Sequence, residues 1–200
     1  MNPTRVRYFF SQFACIVLAI FSTVPIAFAH DALASFSDVW LARDTMEMTI
    51  TMARSAAFLL IKDDKPGVDY VDTDTFAKVR PKLLKQAANL SHLSLAGKEI
   101  APTETDVQMT DESDVQFRLV YARPPAGGRV LFEFPFLPKM VEGHGLTHAV
   151  WNENKTGLST VDLRVEEKTS AEVALPPVAQ ATIQDSPTPV AKKTEPSPSP

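Results

Sequence analysis

Apolar and polar residues alternate in four stretches of this chain, a rhythm kept by a β-strand with one buried face. Met46, Met48, Ile50 and Met52 are interleaved with Glu47, Thr49 and Thr51. Val115, Phe117, Leu119 and Tyr121 enclose Gln116 and Arg118. Val130, Phe132, Phe134 and Phe136 follow the same pattern, as do Ser159, Val161, Leu163 and Val165. Shorter runs at 33–41, 93–95, 100–109 and 146–151 read as further strands. Turn-forming clusters separate them: Ala96-Gly97, residues 111–114, Pro124-Pro125-Ala126-Gly127-Gly128 and residues 152–157. Many short strands with this punctuation predict an all-β fold, an antiparallel β-sandwich of immunoglobulin-like kind. One helix is expected within it, because Phe76, Val79, Leu83, Leu84, Ala87 and Leu90 recur at three–four spacing, with Asp72 to Asp74 as caps and Pro81 as a kink. Residues 55–60 are expected as a turn or short helix. Hydrophobic residues make up 44% of the chain, enough to fill the core of such a sandwich.

The two ends read differently. Arg5 and Arg7 precede an apolar run over residues 9–21; Pro25 breaks it, and Ala27-Phe28-Ala29 offers small residues where a signal peptidase reads. This is the pattern of a cleavable export signal, residues 1–29, which predicts a periplasmic or secreted protein beginning at His30. The run is short for a membrane span of ~20 residues, so no transmembrane helix is expected after cleavage. The single cysteine, Cys15, lies in the leader, which leaves no thiol chemistry or disulfide in the exported chain. Residues 169–200 hold Pro176, Pro177, Pro187, Pro189, Pro196, Pro198 and Pro200 among small and polar residues, and are expected to be a disordered, partly polyproline-like tail. The body, residues 30–168, has the size of one domain. The net charge of −4 offers no basic surface for nucleic acid.

Four histidines carry the sharper expectations: His30, His92, His144 and His148. Cleavage before His30 would place an α-amine and an imidazole on one residue, a chelating pair suited to copper or nickel. His144 and His148 are the expected further ligands. In a straight strand they lie on one face about 13 Å apart, at ~3.3 Å per residue. One of them with His30 is therefore more plausible than all three. The competing reading has Gly143-His144-Gly145 as a turn and His148 as a core or rim histidine. His92 reads as an edge or surface residue. Met46, Met48 and Met52 invite a copper(I) thioether site, but their shared face with Ile50 points to core packing. No nucleophile motif, phosphate-binding loop or dinucleotide fingerprint occurs, which points away from an enzyme.

The order of features resembles a known family. A mature start Ala29-His30-Asp31 is followed by the segment Leu90-Ser91-His92-Leu93-Ser94-Leu95-Ala96-Gly97-Lys98-Glu99-Ile100. Then come Arg118-Leu119-Val120-Tyr121, Arg129-Val130-Leu131-Phe132-Glu133-Phe134, and Gly143-His144-Gly145-Leu146-Thr147-His148 leading to Trp151. This is similar to the exported N-terminal domain that precedes the membrane part of HupE/UreJ-type proteins. The resemblance implies a β-sandwich outside the cytoplasm, linked to metal-related or partner-related work, with His30, His144 and His148 as the residues carried across. The nickel or cobalt transport of that family's membrane part is not carried over. The expectation is an exported, non-catalytic binding or interaction module that docks to an envelope protein, with copper or nickel handling as its related role. The alternative is a histidine-brace copper protein or oxygenase built on His30.

Overall fold

The computed structural model describes residues 33–62 and 74–178. The expected leader with His30, Asp72 of the expected helix caps and the last part of the expected tail lie outside the described residues. Two sheets form the body, and the all-β sandwich is what the alternating runs build. One sheet has six strands in the order β5-β6-β2-β1-β8-β9, and the other four in the order β10-β7-β3-β4. In chain order the strands are β1 Ala34–Leu41, β2 Thr45–Met52, β3 His92–Leu95, β4 Lys98–Ile100 and β5 Pro102–Met109. They continue as β6 Val115–Ala122, β7 Gly128–Glu133, β8 Gly145–Trp151, β9 Gly157–Arg164 and β10 Ser170–Leu175. Helix α1 (Arg54–Leu59) follows β2, and α2 (Phe76–Ala87) precedes β3.

Pairing is antiparallel except between β1 and β8, which run parallel in the register Ser35↔Leu146, Ser37↔His148 and Trp40↔Trp151. The antiparallel expectation is corrected at this one pair. Its strands come from opposite ends of the body, and β1 is already flanked by β2 on its other side.

The alternation decides what is inside. Met46, Met48, Ile50 and Met52 face the core at 0–1% exposure, so the methionines are packing residues. Across the gap, Val130 and Phe132 of β7 point back, and Phe134 and Phe136 join them just past the strand end. The β3–β4 hairpin turns on Ala96 and Gly97 with φ of 50° and 76°, the paired left-handed residues of a two-residue hairpin loop. Helix α2 buries Leu83 and Ala87 and carries Pro81 in its interior. Its N-cap is Thr75, which makes no side-chain capping bond, in place of the expected aspartates. Arg80 fastens the helix to the sheet edge: Nε donates to the Val107 carbonyl at 3.0 Å, and Nη2 reaches Asp106.

The expected tail boundary is also corrected. Residues 170–175 form strand β10, paired with β7 from Ser170↔Glu133 to Leu175↔Gly128. Ala171, Val173 and Leu175 alternate inward, and this short rhythm outweighs the proline-rich context that follows. Pro176 and Pro177 lie beyond the last strand pair, where their lack of an N–H breaks no ladder bond.

Candidate functional site

β1 places Ser35 and Ser37 on the same inward face as Val39 and Leu41, because all four share one parity along the strand. β8 does the same with Leu146, His148 and Val150. Parallel pairing sets the two strands side by side, so the serines meet the histidines. His148 Nδ1 lies 3.1 Å from Ser37 Oγ, and His144 Nε2 lies 2.9 Å from Ser35 Oγ. Both serines and both histidines are buried, at 0–1% exposure. The His148 ring packs on Phe132 and Phe134 of the opposite layer, with centroids 4.7 Å and 5.1 Å away. Its Nε2 has no hydrogen-bond partner among the described residues. Burial pushes the imidazole down to about 4, so His148 is neutral at physiological pH.

A serine hydroxyl hydrogen-bonded to imidazole is the first requirement of an activated nucleophile. The remaining requirements are not met at His148. Its second ring nitrogen has no orienting carboxylate, its basicity is reduced by burial, and Ser37 is fully covered. The Ser37–His148 pair satisfies buried polar groups in a sandwich core, as the core-histidine reading expects.

The structure also relates the expected metal ligands to one another. The Gly145 N–H donates to the Leu33 carbonyl at 2.8 Å, which fixes residue 33 beside His144. His144 sits where Gly143, at φ 81°, turns the chain into β8. His148 is deeper, paired with Ser37 and enclosed by phenylalanines. His144 and His148 thus bond to different serines, and the described residues hold no group of three or more histidine, cysteine or acidic side chains able to hold a metal ion. A metal at His144 through Nε2 has to displace the Ser35 hydroxyl. His92 is exposed on β3, as expected.

Two further features were not foreseen from sequence, the role of Arg123 and the pairing of the two tryptophans. Arg123 is buried, with its side chain 3% exposed. Its Nη1 donates to the Ala42 carbonyl and to Glu153 Oε1, and its Nη2 to the Pro176 carbonyl at 3.2 Å. One guanidinium therefore ties the β1–β2 turn, the β8–β9 loop and the segment after β10 together. The second feature is on the outer face of the six-stranded sheet. Trp40 of β1 and Trp151 of β8, register partners, stack with centroids 5.3 Å apart and planes inclined by 14°. Trp151 Nε1 donates to Asp38 Oδ1 at 2.8 Å, while Trp40 remains 37% exposed. Phe36, 39% exposed, lies on the same face of β1. The neighbouring charges are largely spoken for: Arg118 pairs with Glu47 at 2.7 Å and with Glu104 at 3.4 Å, and Thr147 donates to Asp162 at 2.8 Å. Parity would have found the tryptophan face, since Trp40 sits out of phase with Val39 and Leu41.

No family model matches this chain, and no curated protein shows significant similarity to it. No described helix is long and apolar enough to cross a membrane.

Proposed function

We propose that this chain is an exported β-sandwich that binds a partner outside the cytoplasm and performs no chemistry of its own. The observation that carries the reading is the contrast between the two faces of β1 and β8. The inward face places Ser35, Ser37, His144 and His148 out of reach of any substrate. The outward face presents a stacked tryptophan pair whose surrounding charges are paired. Aromatic residues on a rigid sheet are the residue type on which binding energy concentrates. The leader pattern over residues 1–29 and the likeness to the exported HupE/UreJ-type domain support a location outside the cytoplasm.

The test is site-specific photocrosslinking in cells, with the probe at Thr49 or Thr147 on the face that carries the tryptophans and Phe36, and at His92 on the other sheet as control. Adducts confined to the first two positions are the expected result. Equal labelling at all three, or none, removes the assignment.

A second reading, metal handling, rests on the expected leader: His30, once freed by cleavage, would offer an amine and an imidazole to copper or nickel, with His144 at the entry to β8 as the further ligand. Copper(II) titration of the exported chain tests it. His144→Ala, or one extra residue before His30, should each weaken binding at least tenfold, and His148→Leu should leave it unchanged. Binding indifferent to the extra residue excludes the amine as a ligand.

A further inference from the structure

A sheet ends in strands whose outer backbone groups have no ladder to join, and such an edge is either blunted or open to a further strand. Three edges of this sandwich are blunted. At β5 the Val107 carbonyl accepts from Arg80 Nε of helix α2 at 3.0 Å, and the Val107 N–H donates to Asp106 Oδ1 at 2.7 Å. β4 is only three residues long. In β10 the Thr169 carbonyl takes the Phe134 N–H, so the backbone groups of Ser170, Glu172 and Ala174 turn away from β7. That outward row carries a charge at Glu172 and runs into Pro176, which has no N–H. β9 differs. The Gly145 N–H faces β1, where it meets Leu33, so Leu146, His148 and Val150 face β9 and hold Leu163, Val161 and Ser159. The N–H and C=O of Thr160 and Asp162 therefore point away from the sheet, and among the described residues no strand lies beyond them. The open stretch has sharp limits. A register shift beside Trp151 leaves Leu158 as a bulge at one end, and at the other Arg164 exchanges bonds with Lys168 at 3.1 Å in each direction. Residues 159–163 remain, centred on Val161.

We infer that β9 pairs antiparallel with β9 of a second copy of this chain, about a two-fold axis at Val161. In that register Thr160 stands opposite Asp162 of the second copy, and the two residues exchange both backbone bonds on either side of the axis. The Thr160 hydroxyl is a donor to the facing carboxylate, which accepts from Thr147 on its own sheet and has room for more. On the core side the two half-buried Val161 side chains meet. Moving the axis by one residue is unfavourable in both directions. At residue 162 it sets two Asp162 carboxylates directly opposite one another, and at residue 160 it drives Asp162 against the Leu158 bulge. The open stretch thus matches itself in length, charge and face, which is the argument for a second copy as the occupant. Six strands from each copy then form one sheet, with both tryptophan pairs on the same side of it. A strand pair this short buries less than the ~1,200–2,000 Å² of a stable interface, so the dimer is weak and concentration-dependent. The inference goes beyond the binding-module reading and does not depend on it.

Oxidative trapping in the full-length chain is the test, with the parent chain and its Cys15 as baseline. Opposed residues that do not bond to each other through the backbone have Cα atoms ~4.5 Å apart, within disulfide reach. Val161→Cys should therefore yield a covalent dimer whose amount rises with protein concentration. Ser159→Cys should yield at least tenfold less, because its two copies lie about 13 Å apart at ~3.3 Å per residue. Thr160→Pro, added to Val161→Cys, removes an outward N–H that serves no bond within the fold, and should cut the yield at least tenfold. Thr160→Asp and Thr160→Lys in the same background test the register without touching the backbone: the first sets a carboxylate opposite Asp162 and should lower the yield at least threefold, and the second should not lower it. A Val161→Cys chain that stays monomeric overturns the pairing. Equal trapping at Ser159 and Val161 overturns it too, as does a yield indifferent to Thr160→Asp. Each of these results leaves the photocrosslinking test of the tryptophan face untouched.

Discussion

His148 is the residue whose chemistry is most changed by folding. Its ordinary value of 6.5 falls to about 4 because the core offers the charged ring neither water nor a counter-charge. Between those two values the unfolded chain binds a proton that the folded chain does not. Stability is therefore full above pH 6.5 and declines as pH falls toward 4, by about 3 kcal/mol in total. Urea midpoints measured across that range should show the decline, and His148→Leu should flatten it. Arg123 is the second residue with a large expected effect. Replacing it with alanine leaves the Ala42 and Pro176 carbonyls to find other donors and frees Glu153. A loss of about 3 kcal/mol follows, since hydrogen bonds from a charged, buried group are worth ~1.5–3 kcal/mol each and water repays part. Arg123→Lys should recover only a fraction, because an ammonium cannot span three acceptors in a planar fork. Chemical denaturation of the two variants checks the order.

At the scale of elements, β10 is where sequence and structure part. The runs that became β2, β6, β7 and β9 were visible because at least three successive alternate positions in each run are large and apolar. β10 offers only Ala171, Val173 and Leu175, beside two prolines, and its inward set includes an alanine. Its pairing with β7 is a long-range event that no local rhythm encodes. The consequence is a sharp difference between two truncations. Ending the chain after Lys168 removes β10 and exposes the edge of β7, and should cost about 5 kcal/mol from burial of Val173 and Leu175, at ~1.5–3 kcal/mol each. Ending it after Val178 should leave the unfolding midpoint unchanged. Gly127→Ala belongs to the same element boundary. With φ at +66° and the Leu175 carbonyl 2.5 Å from the new Cβ, the turn and the β10 exit cannot both keep their places. A fall in thermal midpoint of several degrees is expected by calorimetry.

For the molecule as a whole, the sheet count and the core were legible, and the site was only half so. Strand parity gives the face of every residue in β1 and β8, hence both the buried serines and the outward tryptophans. It does not say that these two strands are neighbours, and without that pairing Ser37 and His148, or Trp40 and Trp151, have no reason to be considered together. The histidine spacing was read along one strand, whereas the relation that matters runs across two.

The placement of β1 has a consequence for how this chain comes into being. β1 is made early, yet one of its flanks is completed only by β8, more than a hundred positions later in the chain. Closing so distant a contact is slow, in the millisecond-to-second regime of non-local β topologies. Until residue 151 has been synthesised, the nascent polypeptide has a β1–β2 ribbon with one unsatisfied rim. A ribosome-stalled intermediate exposing the chain only as far as His144 should consequently remain protease-sensitive and cling to chaperones, and one exposing it through β10 should not.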